Sequence, residues 1–206
     1  MGFHSRKVLQ FIFVTFLKKL RDIAGQGYVF YFLWGDRMDN IVPLIDEESI
    51  AKRIDELANQ ISNDYKNEEL TVICILKGAT IFTCDLIRKL SIPVYLDFMV
   101  VSSYVDTEST GSVKIIKDLD HTISNKNVLI IDDIIDTGMT LQHLVNTLKV
   151  RNPKSIKLCT LLDKPARRVN NLKVDYYGFK IKNEFVVGYG LDYNQKYRNL
   201  SFIGKF

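Results

Sequence analysis

Cysteine and histidine are both scarce in this chain. The 206 residues contain three histidines, too scattered to form a metal site, and three cysteines without a CxxC pair. An odd number of cysteines without paired spacing indicates neither a disulfide framework nor a zinc site. We therefore interpret the cysteines as reduced core residues of a cytoplasmic protein: Cys74, Cys84 and Cys159.

Long hydrophobic runs and nucleotide-triphosphate motifs are also missing. The apolar part of VLQFIFVTFLKKL near the N-terminus has about ten residues, whereas a helix needs about 20 to span a bilayer. No small-residue cleavage site follows this stretch, so it does not match a secretory signal. The chain contains no GxxxxGK[ST] sequence, and this absence disfavours a Walker-type NTP site.

A basic excess is missing from most of the chain. The formal net charge is +4, but residues 1–37 contain six basic and two acidic residues and therefore account for all of it. Residues 38–206 are neutral overall, and this argues against a nucleic acid as the partner.

Residues 1–37 differ from the rest of the chain. They contain nine of the 23 aromatic residues and the only tryptophan. We treat them as an atypical N-terminal extension, separate from the domain at 38–206. The favoured interpretation is that translation naturally begins at Met38, so that the extension is not part of the native protein. An amphipathic membrane-surface anchor is the alternative.

Apolar strands and amphipathic helices alternate from Met38 onward. Helical spacing between Ile50 and Ile61, after Asp46 as N-cap, predicts a first helix. The later strands are predicted at LTVICILK, VYLDFMVV, NVLIID and SIKLCTLLD, and the later helices at GATIFTCDLIRKL and MTLQHLVNTLKV. Such units predict an α/β fold with a mostly parallel twisted sheet flanked by helices. About thirty C-terminal residues, broken by Gly, Asn and Asp, predict a small hood subdomain.

Three carboxylates follow one of the apolar strands, in VLIIDDIIDTGMT at 128–140. Ligands of parallel sheets bind at the carboxyl ends of strands, where Asp132, Asp133 and Asp136 are predicted to lie. DTGMT adds a tight turn and backbone N–H groups that suit a phosphate, while the acids suit vicinal hydroxyls or a metal ion. The stretch therefore predicts a site for a phosphorylated sugar. The structural alternative is a solvated acidic turn in which Asp133 or Asp136 caps a helix.

The same stretch resembles the ribose-phosphate signature of hypoxanthine-guanine phosphoribosyltransferases, which are type I phosphoribosyltransferases. ILKGA, SSY…STGSVKIIKDLD, LLDKP and EFVVGYGLDYNQKYRNL resemble this family in order and spacing, most closely its bacterial branch. The resemblance runs from about residue 41 to 204. It implies a phosphoribosyltransferase domain at 38–206 that transfers a phosphoribosyl group from 5-phosphoribosyl 1-pyrophosphate to a purine base. It also implies Mg²⁺ as cofactor and self-association as dimers or tetramers.

The resemblance assigns roles to the acids and to the phosphate contacts. Asp136 matches the proposed general base for purine N7. Asp132 and Asp133 match the acids that hold the ribose hydroxyls and coordinate Mg²⁺, and Asp192 matches a second Mg²⁺ ligand. The 5-phosphate cup corresponds to Thr137, Gly138, Met139 and Thr140. The pyrophosphate contacts correspond to Lys77, Gly78 and Arg198, with Lys77 following a non-proline cis peptide in relatives.

The purine contacts and the closing loop are also implied by resemblance. Lys164 matches a donor to the purine 6-oxo group, Phe185 a stacking residue and Val186 a backbone contact. Arg168 matches a further family arginine, although KPARR could shift by one residue. A loop that closes over the site in relatives begins at Ser103 and Tyr104.

The sequence disfavours two rival functions. One is an RNA-binding regulator that retains the fold, which should show a basic face. The other is a transferase for adenine or a pyrimidine, which the matches at Lys164 and Phe185 oppose. The preference among hypoxanthine, guanine and xanthine is left open.

Overall fold

The computed structural model describes residues 41–103 and 113–206. Strands and helices alternate in them as predicted. The helices are α1 (Glu47–Asp64), α2 (Thr80–Ile87) and α3 (Met139–Lys149), with a 3-10 helix at Pro165–Arg167. The strands are β1 (Val42–Ile45), β2 (Leu70–Leu76), β3 (Val94–Ser103), β4 (Val113–Lys117), β5 (Asn127–Ile135), β6 (Ser155–Asp163), β7 (Tyr176–Lys180), β8 (Val186–Val187) and β9 (Ile203–Lys205).

Six strands form the main sheet in the order β4-β3-β2-β5-β6-β7. All neighbours are parallel except β3 and β4, which pair antiparallel. The prediction of a mostly parallel sheet is therefore confirmed. The edge strand β4 carries Lys114 and Lys117, and charged side chains of this kind are typical of an exposed sheet edge.

Helices cover both faces of this sheet. Alternate residues of β5 lie in two separate hydrophobic clusters, because successive side chains of a strand point to opposite faces. Leu129 and Ile131 pack with α1 and α2, whereas Val128 and Ile130 pack with α3. The apolar runs of the central strands are thus explained by burial on both sides.

The structure agrees closely with the predicted positions of the helices and less closely with their predicted ends. Asp46 caps α1, and its carboxylate accepts a hydrogen bond from the Ser49 N–H at 2.7 Å. By contrast, α2 ends at Ile87 and is shorter than the predicted helix. Its buried face consists of Phe82, Thr83 and Leu86, so the side chain of Cys84 is exposed. The prediction that all three cysteines are core residues is wrong for Cys84, although all three are free thiols.

A second, three-stranded antiparallel sheet has the order β1-β9-β8. Its strands β8 and β9 lie in the C-terminal region where the hood is predicted, and its third strand is β1, which the sequence did not predict. Val42 pairs with Lys205, and Lys205 pairs with Val186 on its other side. Packing against a distant strand, rather than local sequence, creates this part of the fold.

The predictions for residues 1–37 and for Tyr104 lie outside the described residues. Within 41–103 and 113–206, no helix combines the length and the apolar character that crossing a bilayer requires.

Candidate active site

Three loops meet at one edge of the main sheet. Lys77 and Gly78 follow β2, Asp136 follows β5, and Lys164 follows β6. Because β2, β5 and β6 are parallel neighbours, their carboxyl ends lie side by side. The predicted contacts for pyrophosphate, ribose, phosphate and purine therefore share this edge.

The acidic pair lies inside β5 rather than after it. Asp132 pairs with Thr160, and the ladder continues to Ile135 opposite Asp163. The Asp132 carboxylate accepts a hydrogen bond from the Asp133 N–H at 3.0 Å. Burial and the neighbouring Asp133 carboxylate raise the pKa of Asp132 well above its usual value. Burial also raises the pKa of Asp133, whereas Arg198 acts to lower it.

The loop after β2 presses against this pair. A cis peptide joins Leu76 to Lys77, as the resemblance predicts. Lys77 is exposed and Gly78 is buried. A Cβ atom added at Gly78 would overlap the Asp133 carboxylate. Glycine is therefore required here by close approach, and the predicted pyrophosphate loop and the predicted ribose acids form one surface.

Replacing Gly78 with alanine is expected to displace the Asp133 carboxylate. Because small misplacements of binding groups weaken catalysis strongly, we expect KM for 5-phosphoribosyl 1-pyrophosphate to rise by about tenfold. Steady-state kinetics measures this, and thermal melting measures the accompanying loss of stability. In an Asp133→Ala background the overlap is absent, so Gly78→Ala should lower Tm less there. An equal loss of Tm in both backgrounds contradicts the steric explanation.

The predicted phosphate cup forms the start of α3. Gly138 is the N-cap with φ +80°, and no side chain caps the helix. Met139 is exposed and its N–H donates to Thr137 Oγ1 at 3.4 Å. The alternative in which Asp133 or Asp136 caps this helix is therefore not observed. Backbone N–H groups at a helix N-terminus that no side chain caps can donate hydrogen bonds to an anion.

Arg168 and Asn170 lie behind the cup, next to Gly138, and the sequence did not predict this position for either of them. A Cβ added at Gly138 would lie 2.8 Å from both Arg168 Cδ and Asn170 Oδ1. Arg168 donates to Asp163 Oδ1 at 2.5 Å, to Leu172 O at 3.1 Å and to Asp136 O at 3.3 Å. Arg168 thus ties the segment after β6 to the end of β5. Asn170 has no motif signal, and its Nδ2 is buried without a hydrogen-bond partner.

Lys164 is buried, with 8% of its surface exposed. Its backbone N–H donates to Ile135 O at 3.0 Å, beside Asp136. In the part of the chain that the structure describes, no carboxylate forms an ion pair with Lys164. Its Nζ does not belong to the fully buried polar atoms without a partner, so the side chain is covered while the ammonium reaches the surface at the strand ends. This position is therefore suited to an acceptor supplied by a ligand.

Asp136, the predicted base, already has a partner. Arg167 Nε donates to Asp136 Oδ1 at 2.8 Å, and both side chains are about half exposed. The two arginines of KPARR make different contacts in the structure. Arg168 is the buried arginine that joins loops, and Arg167 is the one that touches the predicted base.

The remaining predicted residues lie on the three-stranded sheet and its loops. Phe185 is exposed and contacts the rings of Tyr193 and Phe206 at 5.7 and 6.0 Å, while Val186 is buried. These described contacts join Phe185 to the aromatic side chains of the second sheet and not to Lys164 or Asp136. Phe185 therefore presents an exposed aromatic surface next to β8.

Arg198 and Asp192 connect the second sheet to the pyrophosphate loop. Arg198 pairs with Asp192 at 2.6 Å and donates to Gly190 O at 2.6 Å. Gly190 has φ +102°, and a Cβ added there would overlap Gly78 O. The two sheets thus meet through two glycines next to Asp133. Ser103 ends β3, and its side chain is outside the described part of the structure.

The similarity of this chain to known proteins identifies its family. The model of the phosphoribosyl transferase domain matches residues 44–194. A hypoxanthine phosphoribosyltransferase from Buchnera aphidicola is 50% identical over 165 residues, which cover 79% of this chain and 93% of the relative. The chain belongs to the hypoxanthine-guanine phosphoribosyltransferase family.

A solved structure and a longer relative agree with this assignment. A crystal structure of a hypoxanthine-guanine phosphoribosyltransferase from Bacillus anthracis has a TM-score of 0.78 and 48% identity, covering 80% of this chain and 98% of that one. The bifunctional protein TilS/HprT of Listeria monocytogenes is 49% identical over 162 residues, only 25% of its length. The predicted fold and the predicted class, a pentosyltransferase of purine salvage, are confirmed. These relatives give no support to the RNA-binding alternative.

The acids of this phosphoribosyltransferase fit Mg²⁺ only as partial ligand sets. In the ranges 41–103 and 113–206, no group of three His, Cys, Asp or Glu side chains is arranged to hold a metal. Asp192 has both oxygens engaged, by Arg198 and by the Gln195 N–H. Mg²⁺ typically binds one or two carboxylates together with phosphates and water. The Asp132–Asp133 pair suits that mode, with substrate oxygens completing the coordination.

Replacing Asp132 with asparagine should stabilise the metal-free transferase at pH 7. A carboxyl whose pKa is raised by folding favours the fold below its unfolded pKa of about 3.9 and loses that contribution as the pH rises through the folded value. The amide mimics the protonated acid, so we expect Tm to rise by about 2–4 °C at pH 7, equivalent to about 1 kcal/mol. Near pH 4 the two proteins should melt alike. A Tm difference that is the same at both pH values contradicts this explanation.

Proposed function

We propose that this transferase converts hypoxanthine or guanine and 5-phosphoribosyl 1-pyrophosphate to the purine monophosphate and pyrophosphate. The observation that carries the choice of base is Lys164, whose side chain is largely buried and whose ammonium has no ion-pair partner among the described residues. A purine 6-oxo group supplies the missing acceptor. Adenine carries an amino group there and leaves the ammonium unpaired, which a buried site rejects strongly.

The activated sugar lies across the three loops of the sheet edge. The N–H groups of the cup at 137–140 hold its 5-phosphate at the uncapped start of α3. Asp132 and Asp133 accept hydrogen bonds from the ribose hydroxyls. Lys77 and Arg198 neutralise the leaving pyrophosphate, since both cations belong to loops that meet at Gly78.

The purine approaches from the other side of the ribose. Phe185 stacks on its ring, since more than half of this side chain is exposed. Val186 meets the base edge through backbone atoms. As the bond between purine N9 and the anomeric carbon forms, Asp136 accepts the proton of N7. The carboxylate lies at the strand end next to Lys164, where a bound purine bridges both groups.

Mg²⁺ is proposed to be held by Asp132 and Asp133, with Asp192 as ligand of a second ion. When bound, the metal supplies positive charge to the pyrophosphate oxygens. The loop that begins at Ser103 and Tyr104 is proposed to cover the site and exclude water. A cytoplasmic location and assembly into dimers or tetramers remain predictions.

The first experiment combines the full chain with 5-phosphoribosyl 1-pyrophosphate, Mg²⁺ and one base at a time. Absorbance reports formation of inosine monophosphate from hypoxanthine, and guanine and adenine are run in parallel. We expect turnover with the two 6-oxopurines and none with adenine. A folded chain that binds the activated sugar without turning over any base refutes the proposed reaction, and RNA is the next ligand to test.

A further inference from the structure

We propose that Arg167 is a positioning residue that orients the carboxylate of Asp136 for proton transfer. This inference rests on the proposed function, in which Asp136 is the base. Arg167 Nε donates to Asp136 Oδ1 at 2.8 Å. Asp136 Oδ2 accepts no hydrogen bond from the described residues, so one oxygen is held while the other is presented to the ligand.

The ion pair is too exposed to be explained by stability. The side chains of Arg167 and Asp136 are 45% and 41% exposed, and such surface pairs contribute little to folding because water screens them. The torsion of an aspartate carboxylate is broad, so an unrestrained Asp136 rotates freely about its last bond. A single fixed donor removes that freedom and selects one orientation.

The backbone segments that carry Arg167 and Asp136 are connected to each other by hydrogen bonds. Arg167 is the last residue of the 3-10 helix, and its N–H donates to Lys164 O at 3.0 Å. Immediately after it, Arg168 donates to Asp136 O at 3.3 Å, and the Val169 N–H donates to Thr137 O at 3.2 Å. The ion pair therefore connects two segments that already have a fixed separation, as orientation of a reacting group requires.

This arrangement also links the base to the predicted purine contact. The 3-10 helix that carries Arg167 starts directly after Lys164. A purine bound to Lys164 is therefore positioned by the same short segment that orients Asp136. We therefore expect Arg167 to act on proton transfer through Asp136 and not by holding the sugar phosphates.

A double-mutant cycle tests the proposal. Arg167→Ala is measured in the wild-type chain and in an Asp136→Asn chain, with radiolabelled hypoxanthine so that the slow variants remain measurable. We expect Arg167→Ala to lower kcat by about tenfold in the wild-type background. In the Asp136→Asn background it should change kcat by less than about twofold, because the group it orients is no longer a base. KM for 5-phosphoribosyl 1-pyrophosphate should stay within about twofold of the wild-type value.

Arg151→Ala is the matched control. Arg151 forms an exposed ion pair with Asp118 at 2.8 Å, beyond the other end of α3. This variant should keep the wild-type kcat, and melting curves should show all variants folded. The proposal is overturned by an equal loss in both backgrounds, by an unchanged or increased kcat for Arg167→Ala, or by a marked rise in KM for the sugar. A wild-type chain that forms no nucleotide overturns the proposed function, and this inference with it.

Discussion

Asp136→Asn is expected to lower kcat by about 10²–10⁴, the range that general acid–base catalysis typically contributes. The amide keeps the size of the side chain and can still accept from Arg167 Nε, which donates at 2.8 Å in the wild-type protein. It cannot take a proton from purine N7. Steady-state kinetics with hypoxanthine measures the loss, which should fall on kcat more than on KM for either substrate.

Asp120→Asn serves as the control for removal of an exposed acid. Asp120 pairs with Lys117 at 3.1 Å next to the edge strand β4, remote from the strand ends that form the site. Its variant should retain full activity. If Asp136→Asn also retains more than about a tenth of the wild-type kcat, Asp136 is not the base.

Lys164→Met should lower activity without lowering stability. Hydrogen bonds to charged groups contribute about 1.5–3 kcal/mol, so kcat/KM for hypoxanthine should fall by about 10–150-fold. The preference over adenine should shrink by the same factor. Methionine fills a similar volume without a charge, so the packing of the covered stem is retained. Because the ammonium is not fully buried, we expect Tm of the ligand-free protein to change by less than about 2 °C.

The two parts of this prediction separate a binding role from a structural one. A lysine that supports the fold would lower Tm when replaced, and this outcome would contradict our interpretation of Lys164. Lys66→Met is the matched control, because Lys66 is exposed after the end of α1. Its replacement should leave both Tm and the choice of base unchanged.

The main sheet was predictable because the apolar composition of its central strands indicates that both of their faces are buried. β2 and β5 contain uninterrupted apolar runs, which only a strand covered on both faces requires. The acidic stretch was informative for the opposite reason. Asp132 and Asp133 sit side by side against the repulsion of like charges, and folding does not favour this arrangement. Such conflicts with local rules are expected at functional sites.

Long-range contacts account for what the sequence did not predict. The position of the acids within β5 depends on Ile134 and Ile135 continuing the ladder against β6. The ion pair of Arg167 depends on the turn after β6, where either arginine of KPARR could have met Asp136. The strand β1 forms only because β9 returns beside it. None of these features has a periodic or local signal.

The contact between Gly78 and Gly190 restricts how this enzyme can be redesigned. The two residues belong to loops of different sheets, and each lies so close to its neighbour that a side chain has no room. Libraries that vary either loop alone will accumulate inactive variants, since an atom added at Gly78 overlaps the Asp133 carboxylate and an atom added at Gly190 overlaps the backbone of Gly78. Selection for a new base should therefore randomise both loops together, or leave both glycines untouched and work outward from Phe185.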